Sequence, residues 1–126
     1  MRTPVLTKSY LASAAVAAFR VMKASGDKTV AVASAATDLL VGSSGSLGVD
    51  SGGMADVVEV GIDEVRLGGN VSFGDPLTAD ANGKAIKAVP VDATTVRVFG
   101  FARANGVADD IIPYLAAPGM LSKPAA

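Results

Sequence analysis

The sequence has no cysteine, no histidine and no tryptophan among its 126 residues. Without cysteine there are no disulfides and no thiolate metal sites, and redox chemistry says nothing about the compartment. Without histidine the commonest general base and the commonest metal ligand are both missing. Catalysis would have to rest on carboxylates, lysine or tyrosine, so no enzyme activity, cofactor or metal is expected. Aromatic residues make up only 5% of a chain that is 50% hydrophobic. Alanine and valine fill the difference, and small side chains bury little area each, at ~25 cal/mol per Å² of apolar surface. Contacts with partners are therefore expected to supply part of the stability.

Charge of one sign is also lacking. Eleven basic residues face twelve acidic ones, for a net charge of −1, and no basic run exists. Phosphate backbones are bound by clustered lysine and arginine, so nucleic acid is not an expected partner. No apolar stretch approaches the ~20 residues a membrane helix needs, so no membrane is expected either. Arg2 and Lys8 ahead of Tyr10–Phe19 outline a secretory signal. That stretch is alanine-rich, broken by Ser13 and closed by Arg20, which argues against it.

What the chain does contain is a series of short β-type runs separated by turn residues. Residues 1–9, with Pro4, read as an extended N-terminal arm. Runs follow at Val16–Lys23, Thr29–Ala33 and Thr37–Val41. The stretch from Gly42 to Gly48 reads as the most flexible part of the chain. Ala55–Val60 and Asp63–Leu67 read as two strands parted by Gly61-Ile62, and Val71–Phe73 resumes the second after Gly68-Gly69. Asn82-Gly83 signals a hairpin of type I′, with Lys84–Val89 returning. Thr95–Ala104 is the clearest strand, with Val96 and Val98 on one face and Arg97, Phe99 and Phe101 on the other. Ile111–Ala116 contains Pro113, which argues for an edge position. Only Ala12–Phe19 has helical propensity. The pattern predicts an all-β fold, a small β-barrel or β-sandwich (β-tulip-like at the limit), with an arm over 1–9, a β-rich domain over 10–119 and a tail over 120–126.

Candidate sites are each weighed against plainer readings. Arg97-Val98-Phe99-Gly100-Phe101 resembles part of an RNA-recognition strand, but Val98 replaces a glycine and no second aromatic strand exists. A strand apolar on both faces, one in the core and one against a neighbour, explains it better. Gly42, Gly45 and Gly48 lack the lysine of a phosphate loop. Asp75, Asp80 and Asn82 suggest calcium, yet such residues also favour turns by bonding their own backbone. Glu59 and Glu64, the only glutamates, read as charges on solvated strand faces.

Several segments, in order, resemble a family of tailed-phage capsid decoration (cement) proteins, formerly a domain of unknown function. These are Lys8–Lys23, Ala36–Gly42, Val65–Thr78, Gly83–Ala85, Arg97–Phe101 and Leu115–Gly119. The likeness spans most of residues 8–119 and lies in the order and spacing of weakly specific motifs. It implies a structural virion protein on the capsid exterior, made in the bacterial cytoplasm. Its expected partners are the major capsid protein, whose subunits it would bridge, and itself, as a homotrimer. The family brings no catalytic residues. From the arm and the two-faced strand, the expected capsid contacts are Pro4, Val5, Leu6 and Tyr10, and the expected subunit contacts are Phe73, Phe99 and Phe101. Removing residues 1–9 should then weaken shell binding and leave the domain folded. The alternatives are another virion β-module, such as a tail or spike component, or a secreted binding domain.

Overall fold

The computed structural model describes residues 3–46, 48–90 and 94–123. Nine strands follow one another: β1 (Thr3–Ala12), β2 (Val21–Ala24), β3 (Thr29–Val32), β4 (Leu40–Ser43), β5 (Met54–Arg66), β6 (Pro76–Ala79), β7 (Ala85–Lys87), β8 (Thr94–Ala102) and β9 (Ile111–Lys123). No helix occurs among the described residues. The all-β class is as the sequence predicts. The strands form one mixed sheet in the order β4-β2-β3-β1-β5-β9-β8-β6-β7, open and not closed into a barrel. Every pairing is antiparallel except β1 with β3.

The sheet curls until its ends meet. The N–H of Val21 in β2 donates to the carbonyl of Gly83, in the β6–β7 turn, at 2.7 Å. Gly83 has φ +73°, and a Cβ there would strike the Val32 side chain and crowd the Ala33 carbonyl. Asn82 does not share the positive φ, so the turn is not type I′. Curling buries one main cluster that includes Val21, Leu40, Val58, Val65, Leu77, Phe99 and Tyr114. A second cluster joins Ala12, Val16, Met22, Val30, Ala55 and Val57. The chain exposes 6169 Å², close to the ~6200 Å² expected of a compact monomer of its mass.

Strand β5 serves both clusters, and its alternation slips once. Leu6 pairs with Val60 and Thr7 with Val58, which leaves Glu59 as a bulge. An extra residue moves later side chains to the opposite face. Adjacent residues face opposite ways, so Val57 faces the second cluster and Val58 the first, and the bulge lets Val65 share the face of Val58. The chain passes Gly61 at φ +123° without breaking, so the two expected strands are one.

The β8–β9 pairing is irregular too, with the extra residue in β9. Val98 pairs with Gly119 but Gly100 with Ala116. Phe99 consequently turns inward, 1% exposed, and meets Tyr114 edge to face at 4.9 Å. Phe101 stands outside, 38% exposed. The two phenylalanines do not share a face. Gly100 permits the slip, since a Cβ there would strike the Leu115 carbonyl and the Tyr114 ring.

Other expectations change too. Strand β9 lies inside the sheet, between β5 and β8, despite Pro113. The carbonyl of Pro113 accepts from Arg103 N–H, just beyond the end of β8, so the proline forfeits only the last rung. Gly42–Gly45 is buried, not a flexible surface loop. Val71–Phe73 reduces to a single bridge from Val71 to Gly106. Residues expected as a free arm are extended but laid into the chain's own sheet, as β1 against β5. The boundaries expected at 9/10 and 119/120 fall inside β1 and β9. Residues 1–2 of the arm and 124–126 of the tail lie outside the described residues.

Candidate interaction surface around Tyr10

Strand β1 pairs along its length with β5 on one edge. On its other edge it meets β3 only at Leu11 and Ala12. Leu6, Thr7, Lys8 and Ser9 are all exposed, whichever face they occupy. Tyr10 is half-buried and is the centre of the surface. Its hydroxyl donates to the Glu59 carboxylate, the residue bulged from β5. That bond, helped by burial and the carboxylate charge, pushes the phenol up to about 12. The Lys8 ammonium stands 5.3 Å from the Tyr10 ring centroid, within the range of a cation–π contact. The hydroxyl of Ser9 donates to Asp56 at 2.6 Å, across the strand pair.

Two clefts meet at Tyr10. One, of about 220 Å³, is lined by Tyr10 and Glu59 with Leu39, Leu40, Val41 and Pro118. The other, of about 410 Å³, is lined by Lys8, Ser9, Tyr10, Leu11, Asp27, Lys28 and Met54. Exposed apolar pairs sit across the strands here, Leu6 (50%) with Val60 (45%) and Leu11 (41%) with Met54 (59%). From Ile62 an apolar row continues through Leu115 and Phe101 to Pro76, each the register partner of the next. Residues directly opposite in neighbouring strands share a face, so this row is one continuous strip.

Of the expected capsid contacts, Pro4, Leu6 and Tyr10 lie on this ledge. The Val5 side chain lies outside the described residues. Of the expected subunit contacts, Phe73 is 61% exposed, with the Arg103 guanidinium 5.6 Å from its ring centroid, and Phe101 stands on the strip. Phe99 is a core residue with no surface to offer a neighbour, because the β8–β9 bulge turns it inward.

The remaining candidates resolve into structure. Asp80 accepts from the N–H of Asn82 at 2.8 Å and of Lys84 at 2.9 Å, and Asp75 from the N–H of Ser72 at 2.9 Å. Their oxygens serve turns. Glu59 and Glu64 are five residues apart on one strand, ~16 Å at strand rise, too far to act as a pair. No group of three or more metal-ligating side chains occurs among the described residues. Sequence reading missed Leu39, Lys28, Met54 and Pro118. They come from four separate segments, and no local signal joins them.

No protein-family model matches the sequence, and no curated protein does. Among solved structures, the fold matches the crystal structure of the N base of the head fiber protein gp8.5 of bacteriophage phi29. The TM-score is 0.63 at 21% identity, covering 89% of this chain and 93% of that one. The two chains share an all-β fold over nearly their whole lengths.

Proposed function

We propose that this chain is a structural protein of a phage virion, a decoration module that sits on the outer surface of the capsid and bridges major capsid protein subunits. The observation that carries the reading is the fold shared over 89% of this chain with a phage head fiber base. The ordered resemblance of residues 8–119 to capsid cement proteins supports it independently. So does the surface around Tyr10, which offers apolar cross-strand pairs and shallow clefts where an enzyme would need converging reactive groups. Homotrimers would suit a lattice, since weak contacts repeated within one module gain by multivalency. In such a trimer Phe73 and Phe101, unlike Phe99, are exposed to a neighbour.

A second reading has its own support. The matching protein is the N base of a head fiber, so this chain would serve as a base for an appendage present in few copies. Copy number separates the two. Quantitative mass spectrometry of purified particles should find the chain at a level comparable to the major capsid protein. A small fraction of that level would establish an appendage, and absence from particles would sink both readings.

A further inference from the structure

The direction of each peptide in β1 is fixed by two bonds. The N–H of Ala12 donates toward β5, to the Gly53 carbonyl at 2.8 Å, and that of Leu11 donates the opposite way, to Lys28 at 3.0 Å. Successive peptides of a strand alternate edges, so Thr7 and Ser9 turn their N–H and C=O outward on the Leu11 side. Among the described residues no strand pairs with that edge ahead of Leu11. Upstream it is blunted by Pro4 and by the register shift between Pro4 and Leu6, devices that keep edges from pairing. What stays open is a slot about as long as Leu6–Tyr10. The 410 Å³ cleft lies along it, with Lys8 and Lys28 against one Asp27, and with Leu11 and Met54 as its apolar part.

We infer that this slot receives an extended segment of the major capsid protein as an added strand, bonded to Thr7 and Ser9 and carrying an acidic side chain between Lys8 and Lys28. The inference rests on the capsid reading and names the contact through which binding occurs. An unpaired ladder of alternating donors and acceptors is completed by another backbone, which selects an extended peptide. The two lysines select its charge. They also argue against a second copy, because antiparallel pairing of two β1 edges centred on Lys8 sets Lys8 against Lys8, and like charges directly opposite destabilise a pair.

Residue-resolved hydrogen exchange on the full protein, free and bound to undecorated heads, tests this. In the free protein the Thr7 and Ser9 amides should exchange fast, and Lys8 and Tyr10, bonded toward β5, slowly. Binding should slow Thr7 and Ser9 by at least roughly tenfold. Co-sedimentation scores binding separately. Binding without that protection overturns the added strand and leaves the capsid reading intact, and no binding overturns both. Protection that grows with concentration in the free protein would mean a second copy fills the slot, which also overturns it. Ser9→Pro removes one outward N–H and should lower head occupancy, whereas Ser9→Ala should not. If Ser9→Pro does not fold, Lys8→Glu with Lys28→Glu should lower occupancy by roughly tenfold; occupancy equal to wild type would refute the acidic side chain.

Discussion

The backbone N–H of Ser43 donates to the phenolic oxygen of Tyr114 at 2.9 Å, inside the main cluster. This bond ties β4, at one end of the sheet, to β9 near its middle, and so holds the curl. The Ser43 hydroxyl continues the tie by donating to the Glu64 carbonyl at 2.6 Å and accepting from the Gly45 N–H at 3.0 Å. Tyr114→Phe keeps the ring against Phe99 but strands a buried N–H. An unsatisfied buried donor costs about 1–3 kcal/mol. Urea unfolding should report a loss of that size with an unchanged m-value. A loss within error of zero would mean that the curl does not depend on this bond.

Tyr10 and Glu59 give a second handle on the candidate surface. The hydrogen bond to Glu59, with burial and the carboxylate charge, holds the phenol at about 12 against an ordinary 10.0. A raised folded value means that the native state keeps a proton the unfolded chain has released. The associated stability is whole below pH 10 and disappears as the pH rises toward 12. In Glu59→Gln the phenol should ionise nearer its ordinary value. Tyrosinate absorbance, compared between wild type and Glu59→Gln, isolates Tyr10 because Tyr114 is common to both. Superimposable titrations would exclude the bond in solution.

Some of this was legible in the sequence and some was not, for physical reasons. Strand-rich runs between glycine turns gave the all-β class, and the Asn82-Gly83 hairpin stands where expected. The role of residues 3–9 was hidden. Their partner in β5 lies some 50 positions later, and with one edge open they show no apolar alternation. Bulges misled the face assignments: the β8–β9 register shift falls between Val98 and Gly100, where Phe99 and Phe101 take opposite faces, and composition carries no trace of it. Gly42–Gly45 has the makeup of a flexible loop, yet Ser43 and Ser44 find carbonyl partners at Glu64 and Ala17. The strand pairing of β1 reverses one expectation outright. Deleting residues 1–9 strips β5 of most of its partner, so the remainder should unfold more readily and not persist as an intact domain.

Acid should loosen the approach to β4. The Asp38 carboxylate accepts from Ser34 N–H at 2.9 Å and Ala35 N–H at 3.1 Å, with the Lys23 ammonium at 3.7 Å. Burial pushes this carboxyl up, but the Ser34 N–H, Lys23 and the Ala35 N–H together hold it below its ordinary 3.8. A depressed folded value contributes stability that is whole above pH 3.8 and is lost as the pH falls through the lower, folded value. Asp38→Asn lacks the charge and should be less stable than wild type at neutral pH. The gap should narrow as the pH falls below 3.8 and close once the folded carboxyl is protonated. A gap independent of pH would rule out the charge as its source.

The phenylalanines on and near β8 make opposite predictions, because Phe99 is buried and Phe73 and Phe101 are exposed. Phe99 fills the main cluster and stacks edge-on against Tyr114. Phe99→Ala should therefore cost about 3–5 kcal/mol of stability, which would be misread as lost assembly if only particle occupancy were scored. Phe73 and Phe101 are exposed, so their joint replacement by alanine should change unfolding free energy by less than about 0.5 kcal/mol. Under the proposed function it should instead weaken self-association or head binding. Sedimentation equilibrium of the folded double variant distinguishes these effects. Unaltered association and unaltered occupancy together would remove the Phe73–Phe101 surface from the interface and leave the β1 ledge as the remaining contact.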